Sequence, residues 1–124
     1  MPDRFDVVVI GSGPGGEGAA MKLAKEGKTV AMVDRTPRVG GGATHLGTIP
    51  SKALRHSVQQ VIESRQFKTA DYQSLLADAA NVIDEQVFVR EGNYERNNVH
   101  TIHGRASFTG PNEIIVSTSG GGVE

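Results

Sequence analysis

Val7-Val8-Val9-Ile10-Gly11-Ser12-Gly13-Pro14-Gly15-Gly16-Glu17-Gly18-Ala19-Ala20 is the stretch whose reading decides the fold. Four β-branched residues without polar alternation predict a strand buried on both faces, as in a parallel sheet covered by helices. A glycine-rich turn follows, then an alanine-rich helix start. In Gly11-x-Gly13-x-x-Gly16, the first glycine supplies turn dihedrals, the second lets a pyrophosphate approach the backbone, and the third lets the helix pack close to the strand. The unpaired N–H groups at the start of that helix then face an anion.

Glycine is common in this chain, 16 of 124 residues, so the spacing needs its context to count. Met21, Leu23 and Ala24 continue an apolar helical face up to Gly27, a suitable helix-ending residue. Thr29-Val30-Ala31-Met32-Val33 predicts a second strand ending in Asp34, 23 positions after Gly11, where a carboxylate is wanted for ribose hydroxyls. Strand, glycine turn, helix, strand and acid occur in the order of a dinucleotide-binding βαβ unit. In the plainer alternative the glycines only make a tight turn and Asp34 only ends a strand.

Composition narrows the function classes. Thirteen basic and fourteen acidic residues give a net charge of −1, and no basic stripe interleaved with aromatics points to nucleic acid. No apolar run of membrane-spanning length and no signal-peptide pattern occurs, so a cytoplasmic location is the default expectation. The absence of cysteine excludes disulfides and thiolate metal ligands within the chain. His45, His56, His100 and His103 fall on loop, helix and strand, with the last two on opposite strand faces, which does not suggest a metal site. At 13.1 kDa the chain is one domain's worth, small for a redox enzyme with two substrates.

Residues 35–50, rich in glycine and proline, read as a long functional loop offering a second close backbone approach to a ligand. Ser51 reads as the N-cap of a helix with Leu54, Val58, Val61 and Ile62 on one face. That start puts Lys52 in the first turn, where the helix dipole disfavours a cation; such a conflict points to a functional residue. After a break at 67–70, Tyr72, Leu76, Ala79, Ala80, Ile83, Val87 and Tyr94 mark one face of a long helix reaching about Asn97, with a bend or earlier end at Gly92. Residues 99–103 and 106–108 predict short strands. Residues 109–112 form a turn, and 113–118 a returning strand of a small antiparallel unit.

The glycine loop, Asp34-Arg35, Gly40-Gly41-Gly42-Ala43-Thr44-His45-Leu46-Gly47-Thr48-Ile49-Pro50-Ser51-Lys52 and Gly104-Arg105-Ala106 together resemble the FAD-binding start of the pyridine nucleotide-disulfide oxidoreductases. The resemblance covers essentially the whole chain. It implies an α/β, Rossmann-like FAD-binding βαβ start with a parallel sheet, two further helices and a small antiparallel unit. Residues 1–124 would be the N-terminal part of an FAD-binding domain whose remainder, with nicotinamide-binding and dimerisation domains, lies outside the chain. It further implies that Gly11, Ser12, Gly13, Pro14, Gly15 and Gly16 hold the FAD pyrophosphate and Asp34, next to Arg35, the adenosine ribose. Gly42 and Ala43, with Gly41 and Thr48 in the same set, would line the pyrophosphate and flavin side. Arg105 and Ala106 would touch adenine through backbone, and Lys52 would stand beside the flavin's reactive nitrogen as the catalytic residue.

The disulfide reductases of this family carry two cysteines where this chain has Ala43 and Thr48. A dithiol is needed when electrons leave the flavin for a disulfide, whereas hydride exchange between NAD(P)H and NAD(P)+ needs only the flavin as relay. The expectation is therefore hydride exchange between nicotinamide nucleotides by a homodimer, the 124 residues alone being inactive and binding FAD poorly. Two alternatives stay open. One is a relative with another acceptor; the other is a non-enzymatic or direct NAD(P)-binding module in which Arg35 meets a 2′-phosphate.

Overall fold

The structure is a computed structural model and describes residues 3–65 and 71–118. Strand β1, Val7–Ile10, runs into helix α1, Pro14–Lys25, and returns as β2, Val30–Asp34. Gly13 caps α1 and Pro14 occupies its first turn, where a missing N–H costs nothing. At the other end Gly27 takes φ +83°; its N–H donates to the Ala24 carbonyl and that of Lys28 to Leu23, closing the helix as the sequence predicts.

Between β2 and the next long helix the chain is not the continuous loop expected. Gly41–His45 form a short helix, α2, and α3 begins at Thr48, running to Ser64. Gly47, not Ser51, occupies the N-cap position, and Ser51 N–H already donates to the Gly47 carbonyl at 3.0 Å. Pro50 is accommodated because the first-turn amides of a helix have no intrahelical acceptor. Lys52 is therefore the fifth residue of α3, in its second turn, and its expected conflict with the helix dipole largely disappears.

Helix α4 spans Tyr72–Arg96, capped by Asp71, which accepts from Ser74 N–H in a reciprocal capping box. It passes through Gly92 without ending. The expected break at 67–70 lies outside the described residues. Strand β3, Val99–His103, follows and joins β2 in parallel, giving a sheet in the order β1-β2-β3. Strands β4, Arg105–Gly110, and β5, Glu113–Ser117, form the antiparallel unit, with a register shift between Phe108 and Gly110. The fourth strand is longer at both ends than the sequence pattern indicated.

The core lies between one sheet face and the helices α1 and α4: Ala20, Val30, Met32, Val39, Val87, Tyr94 and Val99 are buried together. Val30 to Val33 are each 1% exposed, so β2 is the doubly covered strand that the apolar pattern describes. Strand β1 departs from that expectation. Its residues alternate, with Val7 and Val9 half-buried and Val8 and Ile10 exposed, so at this edge strand only one face of the sheet is covered. The helix stripes also shift. On α3, which packs on α4, the buried residues are the small Ala53 and Ser57, while Val58 and Ile62 are exposed; on α4 burial begins only at Ala79, leaving Tyr72 and Leu76 outside.

Candidate functional site

β1 and β2 pair in parallel, Val7 with Val30 through Ile10 with Val33, so their carboxyl ends open on the same side of the sheet. There the chain turns at Gly11, whose φ of +101° only glycine adopts readily, and Gly11 N–H donates to the Val33 carbonyl at 2.8 Å. Gly16 has the packing role read from its position. A Cβ there would lie 1.8 Å from the Gly11 carbonyl oxygen, so no other residue brings α1 this close to the strand.

Asp34, at the end of β2, ties the site together. One carboxylate oxygen accepts from Ser12 N–H at 2.8 Å and from the Ser12 hydroxyl. The other accepts from Thr36 N–H at 2.9 Å and the Thr36 hydroxyl at 2.7 Å. Partial burial opposes its ionisation, but the Ser12 and Thr36 donors outweigh that, and the carboxyl is held down at about 2. A carboxylate has about four acceptor positions, and all four are engaged. A ribose hydroxyl thus reaches Asp34 only by taking the place of a present donor. The Thr36 hydroxyl is suited to yield, since the Arg38 carbonyl stands 3.2 Å from it as a second acceptor.

The second glycine segment meets the first. Gly41, at φ +65°, lies so near the turn that a Cβ on it would be 2.6 Å from Gly13 Cα, and Gly40 N–H donates to the Ser12 hydroxyl. His45 donates from Nε2 to the Val39 carbonyl at 2.8 Å; a carbonyl only accepts, so this nitrogen carries the proton. Gly104 N–H donates to the Asp34 backbone carbonyl, bringing the start of β4 to the same rim.

The result is a cleft of about 600 Å³ lined by Gly11, Ser12, Gly13, Asp34, Arg35, Gly41, Gly42, Arg105 and Ala106, nine of the residues expected from sequence. Its size suits a small-molecule ligand. Space is open where Cβ atoms would stand on Gly11, Gly13 and Gly42, so backbone is available to a ligand there. Ile10, Val33, Thr36, Pro37, Arg38, His45, Leu46 and Gly104 also line it and were not named as site residues, although Thr36, Pro37, Arg38, His45 and Leu46 fall in the 35–50 loop read as functional. Ile10, Val33 and Gly104 were signalled only by contiguity with the expected site residues. Pro14, Gly15, Gly16, Ala43, Thr48 and Lys52 do not line it, and Lys52 is exposed on α3. A second cleft, about 490 Å³ between the end of α4 and β3, shares Asp34, Thr36 and Pro37 but contains neither glycine segment. Its walls carry Glu91 and Glu95, which oppose an anionic ligand.

The model of the pyridine nucleotide-disulphide oxidoreductases matches residues 5–118. The chain belongs to this family. Among its curated members, the soluble pyridine nucleotide transhydrogenase of Colwellia psychrerythraea is 50% identical over 97% of this chain, and that of Aliivibrio fischeri 46% over 98%. The chain spans 28% of the length of each. A solved structure, the HOCl-induced flavoprotein disulfide reductase RclA from Escherichia coli in its Cu(II) complex, superposes with a TM-score of 0.77 at 27% identity. That match covers 99% of this chain and 26% of RclA. Among the described residues here, no three His, Asp or Glu side chains are grouped to hold a metal ion, and no helix is long and apolar enough to cross a membrane.

Proposed function

We propose that this chain is the N-terminal part of an FAD-binding domain in a flavoprotein that exchanges hydride between NADH or NADPH and NAD(P)+. The supporting observation is the meeting of the two glycine segments at the start of α1, with Gly41 packed on Gly13 and Asp34 clamping Ser12 beneath them. Identities of 50% and 46% to proteins named soluble pyridine nucleotide transhydrogenase support the choice of reaction.

In this reading the amides of Gly13, Gly15 and Gly16, at the positive end of α1, bind the pyrophosphate, while those of Gly11 and Ser12 hold the turn to Val33 and Asp34. Asp34 accepts an adenosine ribose hydroxyl while the Thr36 hydroxyl turns to the Arg38 carbonyl, and the backbone of Arg105 and Ala106 flanks adenine. Gly41, Gly42 and Ala43 border the path towards the flavin ring, with Arg35 at the adenosine rim and Thr48 opening α3. FAD supplies the hydride-accepting and hydride-donating ring; with no cysteine in the chain, Ala43 and Thr48 provide no dithiol to carry electrons onward. Lys52 is assigned beside that ring, where its ammonium stabilises negative charge arising on reduction. The nicotinamide nucleotide site, the contacts of a homodimer and a cytoplasmic setting belong to the same proposal.

The test is made on a full-length protein carrying this segment. Flavin absorbance in the purified protein, NADPH-dependent reduction of an NAD+ analogue, and slower stopped-flow flavin reduction in Lys52→Met at unchanged FAD content are expected. Losing a charge-assisted contact corresponds to roughly ten- to a hundredfold in that step. A colourless protein that binds NADP+ would instead favour a direct nicotinamide module using Arg35, which also lines the cleft.

A further inference from the structure

Glu17 presents an electrostatic problem to the site just described. It lies in the first turn of α1, where a carboxylate suits the helix dipole, yet the same amides are those available to an anionic ligand. A negative side chain there competes with a phosphate for one positive end. The chain answers from 73 residues away: Arg90 on α4 donates from Nε to the Glu17 carboxylate at 3.0 Å. The guanidinium is oriented by Gln86, one turn earlier, whose side-chain oxygen accepts from Nη1 at 3.0 Å and whose backbone carbonyl lies at 3.3 Å. Arg90 and Glu17 side chains are only 17% and 27% exposed, so solvent screens this pair less than a surface ion pair. The other two ion pairs among the described residues, Lys22–Glu26 and Arg38–Asp84, are far more exposed.

We propose that Arg90 is a positioning residue for the cofactor's pyrophosphate, cancelling the Glu17 charge at the start of α1 so that the anion meets an unopposed helix terminus. This rests on the dinucleotide reading of the cleft, and it extends that site to α4, none of whose residues line the cleft. A purely mechanical strut between α1 and α4 would have a different signature. Breaking the pair from either end removes a strut equally, whereas the electrostatic role makes the two ends opposite in sign.

The experiment measures dissociation constants for FAD, ADP and adenosine on the full-length apoprotein carrying this segment, as wild type, Arg90→Met, Glu17→Gln and the double variant. Arg90→Met leaves Glu17 bare and is expected to weaken FAD and ADP by roughly three- to thirtyfold. Glu17→Gln leaves a lone cation and is expected to hold or tighten both. The double variant should return to within about twofold of wild type, since no net charge has changed. Adenosine, which has no phosphate, should bind all four alike, and added salt should narrow the differences. Equal weakening in both single variants, no recovery in the double variant, or an equal loss for adenosine would overturn the proposal. If Arg90→Met fails to fold, Arg90→Lys keeps the charge without the forked geometry. Near wild-type ADP binding in Arg90→Lys supports the charge role, and a loss as large for adenosine as for ADP defeats it. Binding of ADP without FAD would count against the flavin reading and leave the Arg90 result intact; binding of neither by wild type would sink both.

Discussion

At the scale of single residues, Asp34 does more than its position at a strand end foretells. It was read as a ribose ligand, but its nearest partners are the chain's own Ser12 and Thr36, which hold the first glycine turn against the segment after β2. That arrangement has a pH signature. The folded-state pKa of about 2 lies below the ordinary 3.8, so the carboxylate's contribution to stability is fully present above pH 3.8 and is lost as pH falls through about 2. Urea unfolding of wild type and Asp34→Asn should therefore differ at pH 6, the variant being weaker by about 1–3 kcal/mol for its mismatched donors. The difference should shrink towards pH 2. A gap independent of pH would mean that the shape of the side chain matters and its charge does not.

At the scale of elements, three glycines illustrate three different reasons for the same residue. Gly16 is steric, because a Cβ would collide with the Gly11 carbonyl; Gly27 is conformational, at φ +83° with open space around it. Gly92 is neither. It sits inside α4 with ordinary helical backbone, and an added Cβ would meet only the far end of the exposed Arg96 side chain at 3.3 Å, which has room to move. Gly92→Ala should accordingly raise stability by about 0.5–1 kcal/mol through helix propensity. Gly27→Ala should lower it by roughly 1 kcal/mol or more for forcing a left-handed alanine. Thermal unfolding of the two variants checks both signs, and a lower midpoint for Gly92→Ala would show that α4 needs this glycine for packing. The helix it packs against explains a miss in the sequence reading: the buried residues of α3 are Ala53 and Ser57, small residues that periodicity of large apolar side chains does not highlight.

For the whole molecule, the sheet has one thoroughly covered strand and one open one. Val8 and Ile10 are 37% and 51% exposed on β1, whose outer edge has no partner among the described residues, and an unpaired apolar edge invites association. The 124 residues expressed alone should therefore self-associate with rising concentration and bind FAD weakly. Val8→Lys should reduce the association seen by light scattering. A monodisperse wild-type fragment with submicromolar FAD affinity would contradict this expectation. The parts of the molecule legible in the sequence are those set by local backbone chemistry. The βαβ unit, the glycine turn, the helix end at Gly27 and the acid at 34 follow from conformational freedom and strand burial over a few neighbouring residues. The short helix at 41–45, the start of α3 at Thr48 and the second-turn position of Lys52 were missed, because a proline and four glycines between residues 40 and 50 mask helical periodicity. Only the tertiary structure decided that Gly41 packs on Gly13, that Asp34 accepts from Ser12, and that Arg90 reaches Glu17. These are contacts between residues tens of positions apart, and no local pattern encodes them, since each exists only once the sheet and helices have brought the partners together.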